Sequence, residues 1–338
     1  MSRERYCCKE HFGKISDPSR FEEESLKLFQ FQYESNQIYR NFCKALGINR
    51  WCIKQITDIP FLPIRFFRTN EIIAEGKKPS VTFFSSSTSD DIPSRHLVAD
   101  TDYYKHAIKH GFEMVFGDIS STAVIAVLPS YTDRKGASLV YMAEFLSSIS
   151  ECRTSGLYEP DDKNLFRIIG ESSQKCEQVI LLGVSFALLD IAEKHPQQLP
   201  DNVIVMETGG MKGRRDEITR EELHERLCEA FGKAEIHSEY GMTELLSQAY
   251  SIGKGIFRSP PWMRILIRDI YDPLSFQKPG KTGGVNIIDL ANVFSCAFIE
   301  TSDIGFVNND LSFGILGRID TSQIRGCNLM VDQKNKFV

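Results

Sequence analysis

Between residues 81 and 237 the chain alternates short apolar runs with longer amphipathic ones, and this constrains its fold more than any other feature. Val81-Thr82-Phe83-Phe84, Thr122 to Leu128, Gln178 to Leu182, Asn202 to Met206 and Ala234 to His237 read as strands. Residues 101–116, 136–149, 185–194 and Thr219 to Phe231 read as helices, the last opened by Thr219 and Glu222 at capping-box spacing. Strands apolar on both faces need cover on both faces, and helical crossovers make neighbouring strands parallel. The expected fold class is α/β, with mainly parallel sheets flanked by helices.

The flanks of this region differ. Residues 20–46 predict one amphipathic helix, with Phe21, Leu28, Phe29, Ile38 and Phe42 on its apolar face and Gly47 as its cap. The prolines of Ile59-Pro60-Phe61-Leu62-Pro63 argue for an extended apolar connection and against a central strand or helix. After about residue 255, glycine, proline and period-2 segments (Met263 to Arg268, Gly284 to Asp289, Ser295 to Glu300) predict a smaller antiparallel β subdomain. The expected divisions are an α/β core over 1–255, a β subdomain over 256–317, and a hinge with a short tail over 318–338.

A net charge of −5 supplies no basic footprint for nucleic acid. The N-terminus has no apolar core of a secretion signal, and the longest apolar run, Val179 to Ala192, is too short to span a bilayer. Nine cysteines without a C-x-x-C pair argue against zinc. Their odd number and the missing signal predict free thiols in a reducing cytoplasm.

Five polar segments carry the candidate chemistry. Ser238-Glu239-Tyr240-Gly241-Met242-Thr243-Glu244 follows a strand. It offers Tyr240 as an aromatic face for a purine, Gly241 as a flexible link, Thr243 as a donor to phosphate, and Glu244 as a ligand for a divalent cation. Ser85, Ser86, Ser87 and Thr88 open a hydroxyl-rich loop suited to wrapping phosphates. Gly209 and Gly210 let the backbone approach a flat ring. Asp303 in Glu300-Thr301-Ser302-Asp303-Ile304-Gly305 can accept from a pair of hydroxyls, and Arg318 lies in Gly317-Arg318-Ile319-Asp320. Each segment taken alone also fits an ordinary turn.

In this order and spacing, over residues 80–326, the segments resemble the adenylate-forming superfamily of acyl and aryl ligases. The branch resembled is the acyl-protein synthetases of the bacterial bioluminescence fatty-acid reductase complex (LuxE-type). Ile59-Pro60-Phe61, Ser94-Arg95-His96, Pro260-Pro261-Trp262, Arg268-Asp269 and Arg325-Gly326-Cys327 add to the likeness. The resemblance implies the large N-terminal domain of such enzymes, with the mobile C-terminal lid largely absent. It also implies ATP and Mg2+ as cofactors and activation of a carboxylic acid, expected to be fatty, as acyl-AMP. By the same resemblance Ser85, Ser86, Ser87 and Thr88 hold phosphates, and Gly209, Gly210, Tyr240 and Gly241 the adenine. Asp303 and Arg318 hold ribose, Thr243 and Glu244 are catalytic, Glu244 binds the metal, and Cys327 accepts the acyl group before a reductase or carrier partner. The chain departs from the family pattern at Ser87 and Asp90, which replace loop glycines, and in the absence of the lysine that usually follows. Two other readings stay open: a CoA ligase of the phenylacetate-CoA ligase type, and a nucleotide-binding relative without catalysis. His96, His106 and His110 lack a carboxylate at metal-ligand spacing; of these, His96 is the one that could face the site.

Overall fold

The strand Thr122–Val127 is buried at every position, as is Gln178–Val184 after its first residue, so both need cover on each face. The protein's structure is a computed structural model describing residues 18–85, 92–129, 136–211, 215–216 and 218–318. Five strands run parallel in the order Gly156–Tyr158, Thr122–Val127, Gln178–Val184, Val203–Thr208, His237–Tyr240. The chain steps outward from Thr122–Val127 to Gly156–Tyr158, then reverses past it to Gln178–Val184. Right-handed crossovers therefore place helix Ser138–Ile149 on one face, and Leu165–Lys175 with Ser185–Lys194 on the other.

The same sheet continues antiparallel beyond His237–Tyr240. Ala249–Ser251, Ile256–Arg258, Phe313–Arg318, Phe298–Val307, Thr282–Asp289 and Met263–Arg268 follow in that order. The antiparallel character expected after residue 255 is present, hydrogen-bonded directly to the parallel part. A separate hairpin pairs Val81–Phe84 with Arg95–Val98. Among the described residues no helix is long and apolar enough to cross a membrane.

The N-terminal helix is two helices, Pro18–Ser35 and Gln37–Ala45, because Asn36 is extended and its side chain caps the second by accepting from Tyr39 N. The first helix braces the site from below. Gln32 donates to the carbonyls of Asn292 and Val293 and accepts from Ala297 N, fixing the turn that presents Asn292. Leu62–Pro63 forms a two-residue parallel bridge to Ile299–Glu300, and Phe66–Thr69 a short helix, so the segment is more regular than its prolines suggest.

The expectation of free thiols fails at one pair. Cys152 and Cys176 are disulfide-bonded, their Cα atoms 6.3 Å apart. They lie in the connections entering Gly156–Tyr158 and Gln178–Val184, the two strands that flank Thr122–Val127, so the sheet brings them together across 24 residues. Cys43, Cys52, Cys228 and Cys296 are free.

Candidate active site

Open α/β sheets build ligand crevices at the carboxyl ends of their strands. Here two such ends lie side by side: Val203–Thr208 runs into Gly209-Gly210, and its neighbour His237–Tyr240 runs into Gly241. The motif strand begins at His237, three residues later than the apolar run suggested, so Ser238, Glu239 and Tyr240 lie within the sheet. Gly209 and Gly210 have φ of 76° and 68°, a region that side chains disfavour. Gly210 N donates to Ser185 Oγ (3.2 Å), which donates to the Glu207 carboxylate (2.8 Å). Arg220 and His224 lie 3.5 and 3.6 Å from the same carboxylate. Burial works to raise the Glu207 pKa, but the His224 hydrogen bond and the Arg220 charge hold it below the ordinary value. An ionised buried carboxylate thus anchors the glycine turn.

Beyond Gly241 the chain turns inward. Glu244 is 4% exposed. Burial raises its pKa, offset in part by a hydrogen bond from Ser94. The Glu244 carbonyl accepts from Asn292 Nδ2 at 2.8 Å, and that amide also donates to the Cys296 carbonyl at 2.9 Å. His96, fully buried, sits between Nδ1 to the Thr243 carbonyl (2.8 Å) and Nε2 to Asn292 Oδ1 (3.0 Å). It is therefore a positioning residue for the Thr243–Glu244 turn. Burial pushes its pKa down to about 4, against two acceptor oxygens that favour the charged ring; the neutral ring donates to one of them.

That depression has a measurable consequence. The folded value of about 4 lies below the ordinary 6.5, so on acidification the unfolded chain binds this proton first. Stability present above pH 6.5 is lost progressively down to about 4, by at most about 3 kcal/mol from this ring. Urea unfolding across that window should show a shallower pH slope in His96→Gln than in wild type; equal slopes would refute the assignment.

Asp303 is 4% exposed and lies inside the strand Phe298–Val307, not at a strand end, paired with Arg318 just before a register irregularity between Ile304 and Gly305. Tyr240 Oη donates to Asp303 Oδ2 at 2.7 Å and Arg318 Nε to Oδ1 at 3.0 Å. Arg318 is itself largely solvent-facing, and the Asp303 charge raises its pKa. The Tyr240 ring packs on Phe257 and Phe313, with centroids 5.8 and 5.7 Å away. Each carboxylate oxygen keeps acceptor capacity beyond these partners.

Phe84, Gly209, Gly241 and Thr243 line one cavity of about 100 Å³; Tyr240, Glu244, Asp303 and Arg318 are not among its described lining residues. Ser85 accepts from Ser94 N at 2.9 Å, closing the base of the hydroxyl loop. Ser86, Ser87, Thr88 and Cys327 lie outside the described residues. Among the described residues no group of three or more His, Cys, Asp or Glu forms a metal cage. A buried carboxyl such as Glu244 still fits Mg2+, which commonly takes one or two protein carboxylates and completes its shell with phosphates and water. Sequence reasoning did not single out Gln248, Asp289 or Asn292; none sits in a recognisable motif, and the partners of Asp289 and Asn292 are distant in sequence.

No protein-family model matches the chain. Over 335 residues it is 21% identical to a long-chain-fatty-acid–luciferin-component ligase of Vibrio harveyi, covering 90% of this chain and 85% of that protein. A protein of the same name from Aliivibrio fischeri is 23% identical over 343 residues, covering 91% and 87%. Among solved structures, 2-hydroxyisobutyryl-CoA ligase in its postadenylation state superposes with TM-score 0.64 at 13% identity, over 89% of this chain and 68% of that one. ATP-bound MatB from Rhodopseudomonas palustris gives 0.54 at 14%, over 73% of this chain, which spans only 49% of its length. O-succinylbenzoate coenzyme A synthetase from Bacillus subtilis, with ATP and magnesium, gives 0.50 at 17%, over 74% and 52%. The chain has the fold of the adenylate-forming enzymes and resembles, over nine-tenths of its length, their luciferin-component ligase branch.

Proposed function

We propose that this chain is an ATP-dependent acid–thiol ligase. The carboxylate of an acid attacks the α-phosphorus of ATP, the bond to the β-phosphate oxygen breaks, and pyrophosphate leaves as acyl-AMP forms. A thiol then takes the acyl group and AMP departs. The reading is carried by the convergence of Phe84, Gly209, Gly241 and Thr243 on one cavity beside the Tyr240–Asp303–Arg318 cluster.

Each residue has a part in keeping with its chemistry. The left-handed Gly209-Gly210 turn, anchored through Ser185, exposes backbone that a purine can approach. Asp303, held by Tyr240 and Arg318, accepts from ribose hydroxyls, and the outward guanidinium of Arg318 faces the nucleotide's oxygens. Thr243 and the hydroxyls of residues 85–88 support phosphates. Glu244 would hold Mg2+, which when bound neutralises charge on the phosphate oxygens. Buried donors and charges set in advance stabilise the transferring phosphoryl group without reorganisation.

The thiol is assigned to Cys327, with a reductase or carrier protein as onward acceptor. In ATP–pyrophosphate exchange across a panel of carboxylic acids, at least one acid should drive label into ATP. A protein that fails to bind ATP would sink this reading. For the acceptor, Cys327→Ser should abolish acid-derived thioester on the protein while leaving exchange within about twofold of wild type, as expected of a group used only after adenylation. Persisting thioester product on CoA would instead make CoA the acceptor.

A further inference from the structure

Arg220 is the first residue of the helix Arg220–Phe231, where a cation opposes the positive end of the helix dipole. The helix therefore gives no reason for an arginine here, and the side chain's partners all lie outside it. Arg220 Nε is 3.5 Å from Glu207 Oε1. Its Nη1 donates to the Ile315 carbonyl at 3.1 Å, and its guanidinium sits 5.2 Å from the centre of the Phe257 ring. Gly255 leaves room for this side chain: a methyl carbon on its Cα would come within 3.0 Å of Arg220 Cδ.

These partners belong to both sides of the candidate nucleotide site. Glu207 accepts from Ser185 Oγ, which accepts from Gly210 N, so this carboxylate anchors the glycine turn. Phe257 stacks on Phe313 at 5.5 Å, and both pack against the Tyr240 ring, whose hydroxyl donates to Asp303. Ile315 lies on the strand Phe313–Arg318, which ends at the partner of Asp303. The pairs Glu207–Ser238, Ser238–Ser251, Ser251–Phe257 and Phe257–Phe313 form one row across neighbouring strands. Side chains in such a row share a face of the sheet, and Arg220 reaches both of its ends. A planar guanidinium can give a face to a ring and its edge to two acceptors at once, which an ammonium cannot.

We infer that Arg220 is a positioning residue for the nucleotide, tying the Gly209-Gly210 turn to the strand that carries Arg318. Its action is indirect. It sets the spacing between the backbone offered to the purine and the Asp303–Arg318 pair offered to the ribose. Both contacts can then form together without ordering the protein at the moment of binding. This rests on the ligase reading above and adds a residue outside the segments that carry its chemistry.

The test is binding of ATP and of dideoxy-ATP, which lacks both ribose hydroxyls, to the full-length protein, with urea unfolding of each variant alongside. Wild type should favour ATP by roughly tenfold or more, because a site built to accept from a ribose hydroxyl is left unpaired by the analogue. Arg220→Met should raise the Kd for ATP by roughly tenfold and bring that preference within about threefold. A general loss of stability would weaken both nucleotides alike and leave their ratio where it was. Arg220→Lys keeps a charge opposite Glu207 but loses the stacked face, so its Kd and its preference should fall between the two. An ATP Kd or a preference unchanged in the folded variants, or a wild type that binds both nucleotides equally, overturns the inference and leaves the ligase reading intact. Unfolding of both variants does the same, by making Arg220 a residue of the fold alone. Failure of wild type to bind ATP overturns both.

Discussion

Replacing Glu244 with glutamine is expected to cut ATP–pyrophosphate exchange by roughly 10²–10³-fold, the usual cost of removing one preorganised electrostatic partner from a phosphoryl or acyl site. The same change should leave the protein as stable as wild type or more so. Glu244 is 4% exposed, and burial raises its pKa above the ordinary carboxylate value. A carboxyl whose folded pKa is raised costs stability where it is ionised, and that cost fades as the pH falls through the folded value. Glutamine keeps the shape and removes the charge. Wild type should therefore gain on the variant in acid, and the two should differ most at neutral and higher pH. The pairing of lost activity with retained stability is the signature of a charge kept for function. A variant with normal exchange, or one that unfolds, would remove Glu244 from the proposed site.

Asp289→Ala is expected to have the largest effect on stability. The carboxylate is fully buried at the end of the strand Thr282–Asp289. It accepts from Leu246 N (2.8 Å), Ser247 N (3.0 Å), Ser247 Oγ (2.6 Å) and Ala291 N (3.1 Å). Ser247 Oγ in turn accepts from Trp262 Nε1 at 3.0 Å. Alanine strands these donors away from water, at roughly 1–3 kcal/mol for each that finds no new acceptor, so a total near 3–5 kcal/mol is expected by urea unfolding. Exchange activity should fall as well, because residues 246–247 hold the C-terminal side of the Thr243–Glu244 turn. A loss below about 1 kcal/mol would show that water or neighbouring groups replace the carboxylate.

Element types were legible wherever apolar periodicity was strong and uninterrupted. The helix Thr101–Phe116 and the strand Thr122–Val127 fall where their patterns place them. The strand His237–Tyr240 does not, for a physical reason: Ser238 and Glu239 are polar yet buried, and Glu239 is satisfied by Thr208 from the neighbouring strand. A polar strand paired only through tertiary contacts reads locally as a loop. The three-residue strands Gly156–Tyr158, Ala249–Ser251 and Ile256–Arg258 are too short to show a period at all.

The site divides in the same manner. Gly209, Gly241, Thr243, Glu244, Asp303 and Arg318 stand in short segments whose residue types point to nucleotide chemistry; the fold brings Gly209, Gly241 and Thr243 to one cavity and pairs Asp303 with Arg318. Asp303 and Arg318, 15 residues apart, meet only because their strands pair. The residues that hold these in place carry no local signature. His96 reaches Thr243 across 147 positions, and Asp289 reaches Leu246 across 43.

By itself, then, the sequence determined the α/β class and most helices and strands, because apolar periodicity and turn composition are local properties of a chain. Tertiary structure alone decided which polar groups are buried together, since burial and hydrogen-bond satisfaction depend on partners from distant strands. That is why the charge state of Glu207 and the depressed basicity of His96 emerge only in the folded molecule.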